Sequence, residues 1–376
     1  MTLIDYLNRV HFADNIIEEA VWAELDRRLD GKLCVLSTTD QFEGELGERV
    51  RAGLPRQSRT ANCPIKDGVP TEEEALRVAA FYTDNNCTAV LAFGRGYVIN
   101  LAKAVRLLVS QKAPLAQYSE TEGGSVRVTS PLPDLIAVPR LQGFIAGFNG
   151  LVSILLEDGT MIDIGSRNLV PTVTIGDPTL AVQEPTSVQA SASVEAITLC
   201  TEALLSPKYN PPANGIALDG LRRGLQSLSS ISDRPDIRAR RELMAACMNA
   251  AMVQQKGLGL THAVTSSLCA ITSGTLDKGA IKRLVLPEIL AFFADNGALA
   301  HSALMGALGF TNPADTVKTM RRALRDLPLA ASLSKMGITA EELQRCSTRA
   351  AHHRAQVNAP CQASAADLLK LLHAIY

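Results

Sequence analysis

The stretch GRGYVINLAKA, residues 94–104, carries the first residues whose types and spacing suit chemistry. It follows the apolar run 88–93, and Val98, Leu101, Ala102 and Val105 then recur at i, i+3, i+4 and i+7, the mark of one buried helix face. Gly94 and Gly96 therefore fall at a strand-to-helix turn, where free N–H groups and the positive end of the helix dipole attract phosphate. Arg95 fills the space a further glycine would leave bare. The turn either grips an anion through that charged side chain or has given up a dinucleotide. Arg140, in the run Arg140-Leu141-Gln142-Gly143-Phe144 after Pro139, is the second candidate anion contact; the plainer reading of both arginines is surface or inter-helix packing. His262 heads a helical face with Thr265, Ser266 and Cys269, where a neutral imidazole can act as acid or base or be a hydrogen-bonded packing residue. Lys278 lies in an Asp277-Lys278-Gly279 turn, the common setting of an exposed lysine. Ser266 has no base shown beside it and is not assigned as a nucleophile. His352-His353 reads as solvated surface without a role.

The elements that must hold these residues alternate in the first half of the chain. KLCVLST (32–38) reads as a short buried strand, 71–86 as a helix with a Thr71/Glu74 capping box, then strand 88–93, the helix after Gly96, and strand DLIAVP (134–139). Such alternation implies a parallel sheet with helices on its faces. LVSILLEDGTMIDI (151–164) places two apolar runs around Asp158-Gly159, a hairpin signal, and is expected to end the sheet domain. Beyond Asp177-Pro178 helical periodicity takes over: Leu243, Met244, Cys247 and Ala251 line one face before a C-capping Gly257, and 214–231, 312–327 and 364–375 read alike. The expected domains are 1–165, an α/β nucleotide-binding-type domain, and 166–376, all-helical, with the cleft between them as the default ligand site.

Composition narrows the function classes. With 37 basic and 38 acidic residues well mixed along 376, the chain lacks an electrostatic footprint for nucleic acid or an acidic membrane. Aromatics at 4%, with the single Trp22, argue against base stacking. Eight scattered cysteines without a CxxC pair read as reduced core thiols, and the N-terminus lacks a signal-peptide layout, so a cytoplasmic protein acting on a small molecule is expected.

Six phrases in order over nearly the whole chain resemble the iron-type (group III) alcohol dehydrogenase superfamily, and within it the maleylacetate reductase-like branch. GRGYVINLAKA resembles the family's GGGSxxDxAK loop and helix, and VPTVTIGDPTL its P…DP.LT phrase. AITLCTEALLS is similar to the helix carrying its first ligands, GLGLTHAV to its GLG..HA, KGAIKRLVLP to its HG.xxAxxLP, and SAADLLKLLHAIY to the branch's closing helix. The resemblance implies a dehydroquinate synthase-like fold, a dinucleotide-binding α/β domain followed by an all-α domain, and a homodimer.

In that family a divalent metal is held by an aspartate, a histidine one turn later, the histidine of GLG..H and the one before the glycine of HG. Carried over, these fall on Glu195, Leu199, His262 and Lys278. A leucine cannot ligate and a lysine brings its own charge, so the expectation is no metal. Lys278 would then polarise a carbonyl, His262 would act as acid or base, and Glu195 would keep an oxygen nearby. Asp40, Gly94, Arg95, Gly96 and Arg140 are the places where the resemblance leaves a cofactor contact, Asp40 facing an adenine ribose. NAD(P) is possible, although the hydroxyls of the family's second phosphate loop are absent.

The activity expected on these grounds is a metal-free, repurposed enzyme running acid/base and electrostatic chemistry of lyase, isomerase, cyclase or hydrolase type on an anionic or carbonyl-containing small molecule. The alternatives are an NAD(P)H-dependent, maleylacetate reductase-like oxidoreductase acting on a keto or enol acid, and a non-catalytic relative.

Overall fold

A computed structural model of the chain describes residues 8–55, 59–111, 113–129, 131–234, 236–300 and 302–376. The chain divides into two compact units after Glu184.

The first unit is built in chain order from β1 (Arg9–Phe12), α1 (Ile17–Arg28), β2 (Lys32–Thr38), α2 (Thr39–Glu43), α3 (Glu45–Ala52), β3 (Thr60–Ile65), α4 (Glu72–Asp84), β4 (Cys87–Gly94), α5 (Gly96–Ser110), β5 (Asp134–Pro139), β6 (Leu151–Leu155), β7 (Met161–Gly165) and β8 (Val173–Gly176). Six strands form one parallel sheet in the order β1-β8-β5-β4-β2-β3. The central strands are near-continuous apolar runs because both faces are covered. In β2, Leu33 and Val35 point into one core with Leu91, Phe93 and Val138, while Cys34 and Leu36 point into the other with Val90, Leu101 and Val105. The strand order reverses between β2 and β4, since β3 lies outside β2 and β5 and β8 continue beyond β4. Trp22, the one tryptophan, stands on α1 and is 59% exposed.

The hairpin forms as expected: β6 and β7 pair antiparallel around Gly159, whose φ of +81° suits glycine alone. It does not end the unit. β8 follows it and returns to the sheet between β1 and β5. The buried Asp177 then accepts the N–H groups of Asn15 and Ile16 and pairs with Arg49 at 3.1 Å, binding the segment after β8 to α1 and α3. These bonds carry the division to 184, beyond the expected 165. Thr71 caps α4 through the Glu74 N–H at 3.1 Å. The return arm of the expected capping box is missing, because the Glu74 carboxylate is taken by Arg77 and the Lys66 N–H.

The second unit contains α6 (Thr186–Leu205), α7 (Pro211–Leu228), α8 (Ile237–Val253), α9 (Leu260–Ile271), α10 (Lys278–Asp295), α11 (Ala303–Leu308), α12 (Pro313–Arg325), α13 (Ala340–Ala351) and α14 (Ala365–Ala374). Buried along most of its length, α6 is the centre. α7 presses against it through glycines one turn apart: a Cβ at Gly220 would lie 2.5 Å from the Cys200 sulfur, and one at Gly224 2.8 Å from Ile197. Gly257 ends the short 3-10 turn that extends α8. Among the described residues no helix is long and apolar enough to cross a membrane, and no cysteine is in a disulfide.

Candidate functional site

Candidate residues cluster in two places, one in each unit. In the first they gather at the carboxyl ends of β2 and β4, on either side of the strand-order reversal, which is where open α/β sheets bind ligands. Gly94 closes β4 with φ +149°, and Arg95 starts α5 with no side-chain cap on that helix. The loop after β5 is stitched onto this turn: Gly96 N–H donates to the Gln142 carbonyl at 2.7 Å, and Arg140 N–H to that of Gly94 at 2.9 Å. Gly143, at φ +133°, comes so near that a Cβ there would lie 2.0 Å from the Gly96 nitrogen. The two loops thus form one surface of bare backbone.

Asp40 stands in the first turn of α2, just past the end of β2. The Thr38 hydroxyl beside it, helped by backbone N–H groups and by the Arg95 guanidinium, holds its carboxyl below the usual range. Gln41 donates to the Tyr97 hydroxyl at 3.2 Å, linking the end of β2 to the start of α5; burial and Asp67 push the Tyr97 phenol up. The Arg95 Nε is buried without a hydrogen-bond partner. Arg140 differs from expectation: its guanidinium is paired at 2.8 Å with Glu184, whose side chain is 1% exposed, so its charge is already balanced.

In the helical unit, Glu195 is on α6, His262 in the first turn of α9, and Lys278 opens α10. Asp277 caps α10 through the Ala280 N–H at 2.7 Å and accepts from the Ser191 hydroxyl at 2.8 Å. Gly279 lies so close that a Cβ would meet Ser191 Oγ at 2.3 Å. With the start of α10 pinned to the first half of α6, the next turn of each helix must face the other. That next turn holds Glu195 on α6 and Lys282 on α10, and their Oε1 and Nζ atoms stand 3.8 Å apart. The cation against Glu195 is Lys282, which is 4% exposed; Lys278, the lysine that the sequence singles out, opens the same helix one turn earlier. The i, i+4 spacing of Lys278 and Lys282 is the signal that could have found it.

The backbone N–H of His262 donates to Glu202 Oε1 at 3.0 Å, and Glu202 also receives backbone N–H groups of Gly259 and Thr261, so a buried α6 carboxylate caps α9 in place of Gly259's missing side chain. Burial nonetheless raises the Glu202 pKa. Of the face expected to run from His262, Ser266 shares its half-buried setting, whereas Thr265 and Cys269 turn into the core. The His262 ring meets His353 edge to face at 5.6 Å. His353 Nδ1 accepts from the Ala355 N–H at 3.1 Å, which leaves the proton of a neutral ring on Nε2. His352 is exposed, as expected of the pair; His353 is not.

The comparisons with known proteins decide what kind of molecule this is. Residues 9–178 match the iron-containing alcohol dehydrogenase family, and residues 189–376 its C-terminal part. The chain belongs to the iron-containing alcohol dehydrogenase family. The 4-hydroxybutyrate dehydrogenase of Cupriavidus necator is 33% identical to this family member over 311 residues, 81% of each chain. Alcohol dehydrogenase 4 of Saccharomyces cerevisiae is 23% identical over 97% of this chain and 96% of its own. A crystal structure of 1,3-propanediol oxidoreductase superposes with a TM-score of 0.86 at 18% identity, covering both chains fully. Sulfoacetaldehyde reductase from Bifidobacterium kashiwanohense, solved with NAD+, gives 0.81 at 18% identity over 100% of this chain and 98% of its own. These two structures carry the fold.

One expectation gives way to these relatives. They are named dehydrogenases, which overturns a repurposed, non-redox activity for this alcohol dehydrogenase relative. They establish the family without the maleylacetate reductase-like branch. The family's name carries iron; at the corresponding place this chain keeps the His262 imidazole, but Leu199 is aliphatic and 4% exposed, and the Glu195 carboxylate already faces an ammonium. Two cations sharing that carboxylate would repel strongly in so buried a setting.

Proposed function

We propose that this member of the family is an NAD(P)-dependent oxidoreductase that interconverts a short hydroxy acid and the corresponding aldehyde or keto acid. The observation that carries the reading is the surface at the ends of β2 and β4, where Gly96 and Gly143 bring two backbone loops into contact beside Arg95 and Asp40. For a pyrophosphate at that surface Arg95 supplies a side chain with an unused donor, and α5 the positive end of its dipole, although its first N–H, that of Gly96, is already given to Gln142. Asp40 would accept from the ribose hydroxyls of the cofactor. Gly94 and Gly96 let the turn pack closely: a Cβ at Gly94 would meet Gln41 and Val98 at 2.7 Å, and one at Gly96 would meet Gly143 at 3.1 Å. The Arg140–Glu184 pair fixes the loop rather than meeting the anion. When bound, the nicotinamide gives or takes a hydride at the substrate carbon.

The substrate class rests on the identity with 4-hydroxybutyrate dehydrogenase and on the expectation of an anionic carbonyl compound. The half-buried His262 ring, at the start of α9, supplies a group able to hand on a proton. The test is a fluorescence titration of the purified protein with NADH and NADPH, followed by NADH-dependent reduction assays on short aldehydes with and without a terminal carboxylate. Absence of saturable binding of either nucleotide would overturn the reading.

A further inference from the structure

We propose that Lys282 is a catalytic residue of this chain, its ammonium meeting the reacting substrate oxygen and taking the place of a divalent ion. The inference rests on the oxidoreductase reading above.

Three observations converge on it. Lys282 is 4% exposed, deep for a lysine, and a buried charge persists only when something compensates it. The compensation comes from Glu195, in the position that the family's aspartate ligand would hold, at 3.8 Å, beyond hydrogen-bond length, and from the buried Glu202 carboxylate, on which Lys282 also acts. These carboxylates balance the charge while the three N–H donors of Lys282 stay open to a further oxygen. Finally, the clamp of Ser191, Asp277 and Gly279 sets the register of α10 on α6, so the ammonium is placed in advance rather than recruited.

A placed positive charge acts where negative charge develops. In the reducing direction the carbonyl carbon gains the hydride that a reduced nicotinamide supplies, and the C=O π pair moves onto oxygen. That oxygen takes a proton from Lys282 Nζ, forming O–H as N–H breaks, and solvent restores the proton. The carbonyl is reduced and the nicotinamide oxidised. In the alcohol direction each bond change reverses. No divalent ion enters the balance.

The test uses the full chain and two kinds of readout. Zn2+, Fe2+ and Co2+ titrated into metal-stripped wild type should give neither a melting-temperature shift nor a calorimetric isotherm. Leu199→His combined with Lys282→Asn should gain Zn2+ binding at one ion per chain. Lys282→Met should cut kcat at least 100-fold with KM changed less than threefold and NADH titration unaltered. Lys282→Arg should recover part of that loss. If Lys282→Met fails to fold, the Arg variant and the metal titrations still decide. One tightly held ion per wild-type chain, or kcat retained in a folded Lys282→Met, overturns the assignment. Failure of NADH to bind wild type would instead strike the oxidoreductase reading, and the metal titrations would still judge this one.

Discussion

Gly143 lies against Gly96 so closely that a single methyl group at 143 would be 2.0 Å from the neighbouring backbone nitrogen. Its φ of +133° also excludes any side chain without strain. Gly143→Ala should therefore cost at least about 3 kcal/mol, through backbone strain and forced separation of the two loops. Urea unfolding measures the loss. Nucleotide titration should show binding falling with it.

Asp40 is held ionised by Thr38, backbone N–H groups and Arg95. A fixed negative charge at a ribose repels a 2′-phosphate, so wild type should prefer NADH over NADPH by about tenfold or more, roughly 1.4 kcal/mol. Asp40→Asn should narrow or abolish that preference. Equal affinity of wild type for both nucleotides would remove Asp40 from the ribose.

Burial raises the Glu202 pKa in the folded chain. Between its unfolded value and that raised value the native state binds more protons than the unfolded one, so this residue lowers stability as pH climbs through the window. Glu202→Gln removes the slope while keeping an oxygen for the His262 N–H. Relative to wild type, the variant should gain stability from pH 5 to pH 8, read from denaturant midpoints at each pH. A difference that stays flat with pH would mean that Glu202 titrates alike in both states.

His262 and His353 share an edge-to-face contact on the helical unit. His262→Ala should lower kcat by about 100-fold, the usual weight of one acid/base group. Its ring is half-buried, so the melting temperature should move only a few degrees. His353→Phe keeps an aromatic edge but loses the acceptor for the Ala355 N–H, and should separate packing from proton handling: its kcat should fall far less than that of His262→Ala. Equal losses in the two variants would place the proton on His353.

Much of the sheet unit is legible in the order of its residues. β2, β4 and β5 announce themselves as uninterrupted apolar runs because both faces are covered. The edge strands do not. β3 contains Pro64 and Asn62 and alternates in burial, and β1 is four residues long with Arg9 and Val10 exposed, so neither resembles its central neighbours. β8 is too short to stand out beside the hairpin, which is why the division of the chain reads too early. The site follows the same logic. Glycine turns and a lone histidine are visible as types, whereas the choice between Lys278 and Lys282 depends on which turn of α10 meets α6. That register is set by Gly279 and Ser191, a contact between residues 88 positions apart (279 − 191).

The exposure of Trp22 has an optical consequence. An indole already in contact with solvent emits near the red limit before denaturation begins, so intrinsic emission will register little when the core opens. Backbone circular dichroism is the better witness to unfolding here. The same indole leaves the spectrum quiet for a dihydronicotinamide's own glow, which makes this chain well suited to direct nucleotide titration.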